Sequence, residues 1–289
     1  MATSQRAAPE AKSASNPTID DVRGFWDANP LWSGEGCAEP GTRAYFDEHR
    51  AVVHRDCFAG AVDEHIFPDI DKNARVLDLG CGIGFWLVEF WQRGFRNLHG
   101  ADLSPNSLEF ARKRCATYGV DAALSVRNAE ATGFEDGSFD HVNCQGVVHH
   151  TPSPPAAMRE IHRILRQGGT ASISVYYKNA IIRNWRGFRA ASKMVSALGG
   201  GLKGRGREKI FAGNDVDDIV RLYDGAANPI GIAYDRQGFK HLIGEGFRID
   251  TIYFHFFPAR AVPVSMPRTL HKLLDRKLPF MIYCNVTKL

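Results

Sequence analysis

Ala74-Arg75-Val76-Leu77-Asp78-Leu79-Gly80-Cys81-Gly82-Ile83-Gly84-Phe85-Trp86 constrains the fold of this chain more than any other stretch. A short apolar run with one carboxylate breaks at three alternate glycines, then resumes as an apolar, helix-compatible segment. That order predicts a buried strand, a tight turn and a helix start, where an α/β sheet receives its ligand. Glycines at 80, 82 and 84 put no Cβ between the backbone and whatever lies on it. Asp78 adds a negative charge at the strand end, which suits a cationic ligand better than a phosphate.

The rhythm continues downstream. Residues 76–79, 97–101, 122–126, 139–144 and 170–176 read as strands. Residues 85–93, 105–118 and 155–165 read as the intervening helices, with Ser104 as an N-cap and Gly94 and Gly119 after helix ends. This alternation predicts an α/β fold with a parallel sheet and helices on both faces. After Tyr177 it stops: 179–198 looks helical, 199–206 is a glycine-rich loop and 215–223 is another helix. The sheet pattern returns with 235–243 and two late strands at 247–254 and 280–286. The expected domain is one sheet over 68–289, with insertions at about 178–233 and 256–279 forming a pocket. Residues 19–67 read as a helical, aromatic lid in which Asp20-Asp21 cap a helix ended by Asn29-Pro30. Residues 1–18, rich in Ala, Ser and Pro, read as a disordered lead-in without the apolar core of a secretion signal.

Composition narrows the function. A formal net charge of +4 over 289 residues is too mild to imply nucleic acid, and no apolar run approaches the roughly 18–20 residues that span a bilayer. Six cysteines without a C-x-x-C pair read as thiols in a reducing cytosol, with no metal site expected. Charge is uneven, however: 178–209 holds nine Lys or Arg residues against Glu208 alone. That segment suits either a solvated helix face with a loop or a basic lid for an anionic molecule. Arg183, Arg186 and Arg189, three apart, share one helix face.

A dinucleotide fingerprint needs glycine at 85, where Phe85 stands, and no Gly-Lys-Ser/Thr follows to make a P-loop. A nicotinamide dehydrogenase is therefore set aside. Asp102, ending the second strand, can accept both hydroxyls of a ribose, and Leu103 can lie against a purine. Asn128, Ala129 and Glu130 follow strand three and can meet an adenine edge. Gln145 and the loop through His149-His150 face the remaining end of the ligand.

These motifs together resemble the class I S-adenosylmethionine-dependent methyltransferases of the type-11 small-molecule group. Asp78-Leu79-Gly80-Cys81-Gly82-Ile83-Gly84 matches the motif that holds the methionine part of the cofactor, and Gly100-Ala101-Asp102-Leu103-Ser104 the ribose motif. Asn128-Ala129-Glu130, 134–140, 147–152 and 159–169 match the later motifs in order. Asn128 departs from the Asp of many relatives but can still accept an adenine amino hydrogen bond. The resemblance implies a doubly wound, seven-stranded, Rossmann-like sheet of order 3-2-1-4-5-7-6 with strand seven antiparallel. It also implies S-adenosylmethionine as cofactor and S-adenosylhomocysteine as product.

In-line transfer to a small metabolite, anionic on the basic-lid reading, is the expected reaction. The expected assembly is a cytoplasmic monomer or homodimer. His149 is the candidate base, and Tyr176 and Tyr177 end strand five, one of them pointing into the sheet. His150 reads as bonded to the backbone below the site. Trp26, Trp32, His150, Tyr176, Tyr223, Asn228 and Tyr234 are the candidate acceptor pocket. Two other readings use the same cofactor: cyclisation or elimination at its aminobutyrate chain, and a binding module without turnover.

Overall fold

Thr18 starts the first helix. Its hydroxyl accepts from Asp21 N at 3.3 Å while the Asp21 carboxylate accepts from Thr18 N at 2.7 Å. This reciprocal cap, rather than Asp20-Asp21 alone, sets the beginning of α1 (Ile19–Ala28). Helix α2 (Arg43–Val52) follows and runs into a π-helical turn at Val53–Cys57. The structure, a computed structural model, describes residues 16–289 apart from 209 and 213–215. All but the last three residues of the expected disordered lead-in lie outside the described residues.

Strands and helices then alternate: β1 (Arg75–Leu79), α3 (Phe85–Gln92), β2 (Asn97–Asp102), α4 (Pro105–Tyr118), β3 (Ala122–Val126), β4 (Phe139–Gln145), α5 (Pro154–Ile164) and β5 (Leu165–Tyr177). Ser104 caps α4 by accepting from Ser107 N at 2.9 Å, and Gly119 ends it at φ +67°. The first insertion contains α6 (Ala180–Arg183), α7 (Trp185–Ala197) and α8 (Val216–Asp224). The expected single helix over 179–198 is broken at Asn184, whose side-chain amide donates back to Ala180 O at 2.8 Å. Next come β6 (Ala233–Tyr234), α9 (Arg236–Ile243), β7 (Phe247–His255), α10 (Arg268–Lys277) and β8 (Met281–Lys288).

The sheet runs β3-β2-β1-β4-β5-β8-β7, with β8 antiparallel to both neighbours. The expected order holds, but the count among the described residues is eight rather than seven. The additional strand, β6, pairs parallel to the end of β5; two residues are too few to show a strand period in sequence. Leu77, Leu79 and Ala101 face α5 and α9, whereas Val76 and Leu98 face α3 and α4. Each fully buried aliphatic side chain of these layers contributes roughly 1.5–3 kcal/mol. The layers leave the carboxyl ends of β1, β2, β4 and β5 on one side, beneath α1, α2 and the first insertion.

Candidate functional site

A cavity of about 290 Å³ opens over those carboxyl ends. Its floor is the turn between β1 and α3, where Gly80, Gly82 and Gly84 take φ of +76°, +51° and +79°. L side chains rarely adopt this region, so the turn selects glycine on backbone grounds alone. The sequence reading of bare backbone needs correction at two positions. A Cβ on Gly80 would lie 2.2 Å from Val147 Cγ2, and one on Gly84 would lie 3.3 Å from the Ala111 backbone where α3 crosses α4. These glycines admit neighbouring protein. Over Gly82 lies the flexible Leu31 side chain, 3.1 Å from an added Cβ.

Gly80, Cys81 and Gly82 line the cavity together with Asp102, Leu103, Asn128, Ala129 and Gln145. Asp102 Oδ2 accepts from Gly82 N at 2.8 Å and Oδ1 from Ser104 N at 2.9 Å, which fixes the carboxylate between two turns. Burial raises its pKa, those backbone N–H groups oppose the rise, and Asp27 adds to it. Asn128 accepts from Glu130 N at 3.0 Å. Gln145 Nε2 donates to Asn143 Oδ1 and Ser172, which leaves Gln145 Oε1 buried without a donor. Asp78 lies below the wall rather than on it. Its Oδ1 accepts from Asn143 Nδ2 at 2.8 Å, its Oδ2 has no partner, and burial pushes the carboxyl up to about 7. Two unfilled acceptors thus flank the glycine turn. Glu130 is spent elsewhere, accepting from Ser153 N at the start of α5, and does not line the cavity.

The opposite wall brings together His149, His150, Tyr176, Tyr223, Trp26 and Trp32. Trp26 is held over the site because Asp27 accepts from Ser104 Oγ and Asn106 N, both at 2.9 Å, tying the end of α1 to the start of α4. The His149 ring lies 4.2 Å from His150 and 4.3 Å from Tyr176, between centroids. Neither His149 nitrogen has a hydrogen-bond partner, and burial, with His150 adjoining, holds its pKa well below the ordinary histidine value. His149 is therefore a neutral imidazole with one open donor and one open acceptor. His150 is bonded to backbone as expected, through Nδ1 to Ile230 O at 2.6 Å, and also meets Asp224 Oδ2 at 3.2 Å.

On the acceptor side, three more expected site residues are placed elsewhere, besides Asp78, Gly84 and Glu130, which do not line the cavity. Tyr177 points to the other face of the sheet and packs on Phe254, because adjacent strand residues alternate. Asn228 is buried and ties its own loop, donating to Arg221 O and accepting from Ile230 N. Tyr234 packs toward Phe239 in the core. None of the three lines the cavity, and neither do Arg183, Arg186 and Arg189.

The sequence reading missed Glu35, Arg127 and Arg260 on the wall. It pointed to Arg205 and Arg207 only through the charge excess of 178–209. Arg260 sits in the second insertion and Glu35 in the prelude, and neither carries a spacing signal. The cavity as built offers a backbone turn, the Asp102 carboxylate and the open Gln145 Oε1 on one wall, and a neutral histidine on the other.

Residues 77–173 match the family model described as a methyltransferase domain. The chain is 33% identical over 108 residues to Methyltransferase GfsG of Streptomyces halstedii, a match covering 37% of this chain and 39% of that protein. It is 36% identical over 107 residues to a ubiquinone biosynthesis O-methyltransferase of Ralstonia nicotianae, covering 37% of this chain and 44% of that protein. The matches thus span about two-fifths of these curated relatives. A solved S-adenosylmethionine-dependent methyltransferase of Methanosarcina mazei shares the fold at a TM-score of 0.54 and 18% identity, over 79% of this chain and 98% of that one.

Proposed function

We propose that this chain, whose residues 77–173 form a class I S-adenosylmethionine-dependent methyltransferase domain, moves a methyl group to a small, anionic acceptor by in-line displacement. The residues present fit that cofactor. Asp78 Oδ2 and Gln145 Oε1 are buried acceptors without donors beside the glycine turn, where an ammonium and a sulfonium would be favoured. Asp102, with Leu103 beside it, suits the ribose and purine, and Asn128 the adenine edge. Bound S-adenosylmethionine supplies a methyl on a sulfonium, already a good leaving group. The chain's own task is then alignment and exclusion of water.

The observation that carries the reading is the shared cavity: the unpartnered His149 ring faces the same space as the glycine turn and Asp102. His149 can accept a hydrogen bond from the acceptor's O–H or N–H and take the proton as the new bond forms. Tyr176 and His150 pack against its ring and against each other, at 4.3, 4.2 and 5.6 Å between centroids. Trp26 and Leu31, from the prelude at 19–67, cover the cofactor end against water. The O-methyltransferase name of the Ralstonia relative favours a hydroxyl acceptor. No helix among the described residues is long and apolar enough to cross a membrane. We place the chain in the reducing cytosol, which suits its free cysteines.

The test is incubation with methyl-labelled S-adenosylmethionine and a panel of small hydroxy acids, phosphate esters and their neutral analogues. Label transferred to an anionic member is expected. Transfer confined to neutral members, or consumption of the cofactor without methylated product, would refute the reading.

A further inference from the structure

The cavity carries a charge arrangement that alignment of a methyl donor does not require. Glu35, 4% exposed, lies between three guanidinium groups: Arg205 Nη2 donates to its Oε1, Arg207 Nη2 stands 2.9 Å from the same oxygen, and Arg260 Nη1 donates to Oε2 at 2.7 Å. Burial alone would raise the Glu35 carboxyl, but Arg205, Arg260 and Arg207 outweigh it and hold it below the ordinary range. The carboxylate is therefore fully ionised.

The three arginines are not equivalent. Arg207, 1% exposed, spends its fork on backbone: Nε to Gly204 O, Nη1 to Tyr223 O and Nη2 to Lys203 O. It holds the glycine-rich loop. Arg205, 5% exposed, keeps Nε and Nη1 buried with no acceptor; Arg260 Nε is buried without a well-formed hydrogen bond, with the Tyr223 hydroxyl beside the guanidinium. The nearest other carboxylate, Asp56, is 3.4 Å from Arg260 Nε without forming a hydrogen bond, and is shared with the exposed Arg55. Asp224 is engaged by Tyr176 and His150. Positive charge thus exceeds negative on a wall otherwise lined by Trp32, Val53 and Phe58. Buried guanidinium donors left open call for a partner that completes them, a water, an ion or a ligand group. Arg205 is set apart from Arg114 and Arg127 by having two such nitrogens, on a wall of excess positive charge.

We infer that Arg205 and Arg260 receive an oxyanionic group of the acceptor, a carboxylate or a phosphate ester, with Glu35 as the resident counter-ion that holds both guanidiniums in place beforehand. This rests on reading the cavity as a methyl-transfer site. An acceptor anchored there leaves its remaining length in the space that His149 lines. The two arginines come from the first and second insertions and Glu35 from the prelude, so the subsite exists only when all three segments close over the sheet.

The test is calorimetric titration of the full chain with benzoate, phenyl phosphate and neutral benzamide, each with and without saturating S-adenosylhomocysteine. At least one of the two anions is expected to bind tenfold or more tightly than benzamide, and the preferred one identifies carboxylate or phosphate as the source. Arg205→Gln and Arg260→Gln should each weaken that anion tenfold while S-adenosylhomocysteine affinity stays. Glu35→Gln should strengthen it severalfold by removing the competing carboxylate, a direction that a merely structural clamp would not give. Anions binding no better than benzamide, or Glu35→Gln weakening them as the arginine variants do, would overturn the subsite. Failure of S-adenosylhomocysteine to bind would instead strike the methyltransferase reading, since the anion titrations stand without it.

Discussion

The Tyr176 hydroxyl donates to Asp224 Oδ2 at 2.6 Å, joining the end of β5 to the end of α8 inside the cavity wall. The same oxygen meets His150 at 3.2 Å, so one carboxylate fixes the two rings that pack against His149. Burial would raise the Asp224 carboxyl, but His150 and the Tyr176 hydroxyl outweigh it and hold it below the ordinary range. Asp224 lines the cavity beside those rings, and its Oδ2 is taken by them. Asp224→Asn is expected to lower methyl transfer about tenfold at unchanged S-adenosylhomocysteine affinity, read by steady-state kinetics beside calorimetry. Equal turnover would show that ring orientation is immaterial.

Asp102 is fixed by two backbone donors yet keeps lone pairs toward the cavity. Charge-assisted hydrogen bonds to a ribose are among the stronger polar contacts. Asp102→Ala is expected to weaken S-adenosylhomocysteine tenfold or more in a calorimetric titration. Unchanged affinity would remove the ribose assignment.

Asp78 should trade stability for binding. Its folded pKa of about 7 lies above the ordinary 3.8, so the folded state holds the proton more tightly than the unfolded chain does. Stability is therefore lost progressively as pH rises from about 4 to about 7, by on the order of a few kcal/mol. Asp78→Asn is expected to melt above the wild type at pH 8, with the gap closing toward pH 5, while S-adenosylhomocysteine binds more weakly. A variant that melts lower at pH 8 would contradict this.

His255 runs the other way. It sits between Asp275 Oδ2 at 2.9 Å and Asp63 Oδ2 at 2.7 Å. Burial lowers its pKa, but the two carboxylates outweigh that and push it up to about 9. The stabilisation is complete below the unfolded value near 6.5 and is lost as pH rises through 9, roughly 3 kcal/mol in all. His255→Gln is expected to flatten the fall in melting temperature between pH 7 and 9. A parallel fall in both proteins would show that this triad does not link the prelude to β7 and α10.

The sheet and the glycine-turn wall of the cavity were legible because their signals are local. Gly80, Gly82 and Gly84 must be glycine for backbone reasons, Ser104 caps a helix three residues away, and Asp102 ends a strand whose period is visible. The acceptor wall was legible only in part. His149 and Tyr176 lie next to a recognisable strand end, but Glu35, Arg205 and Arg260 are far apart in the chain and meet only through packing of the insertions. Tyr177 and Tyr234 carried the right chemistry on the wrong face, and Asn228 turned inward to satisfy its own loop. A one-residue difference in strand register is enough to reverse such an assignment.

The account stands most directly on calorimetric titration of the full chain with S-adenosylhomocysteine, and separately with NADH. One-to-one binding of S-adenosylhomocysteine, weakened at least tenfold in Asp102→Ala, with no heat from NADH, is the predicted result. Saturable NADH binding without S-adenosylhomocysteine binding would contradict it.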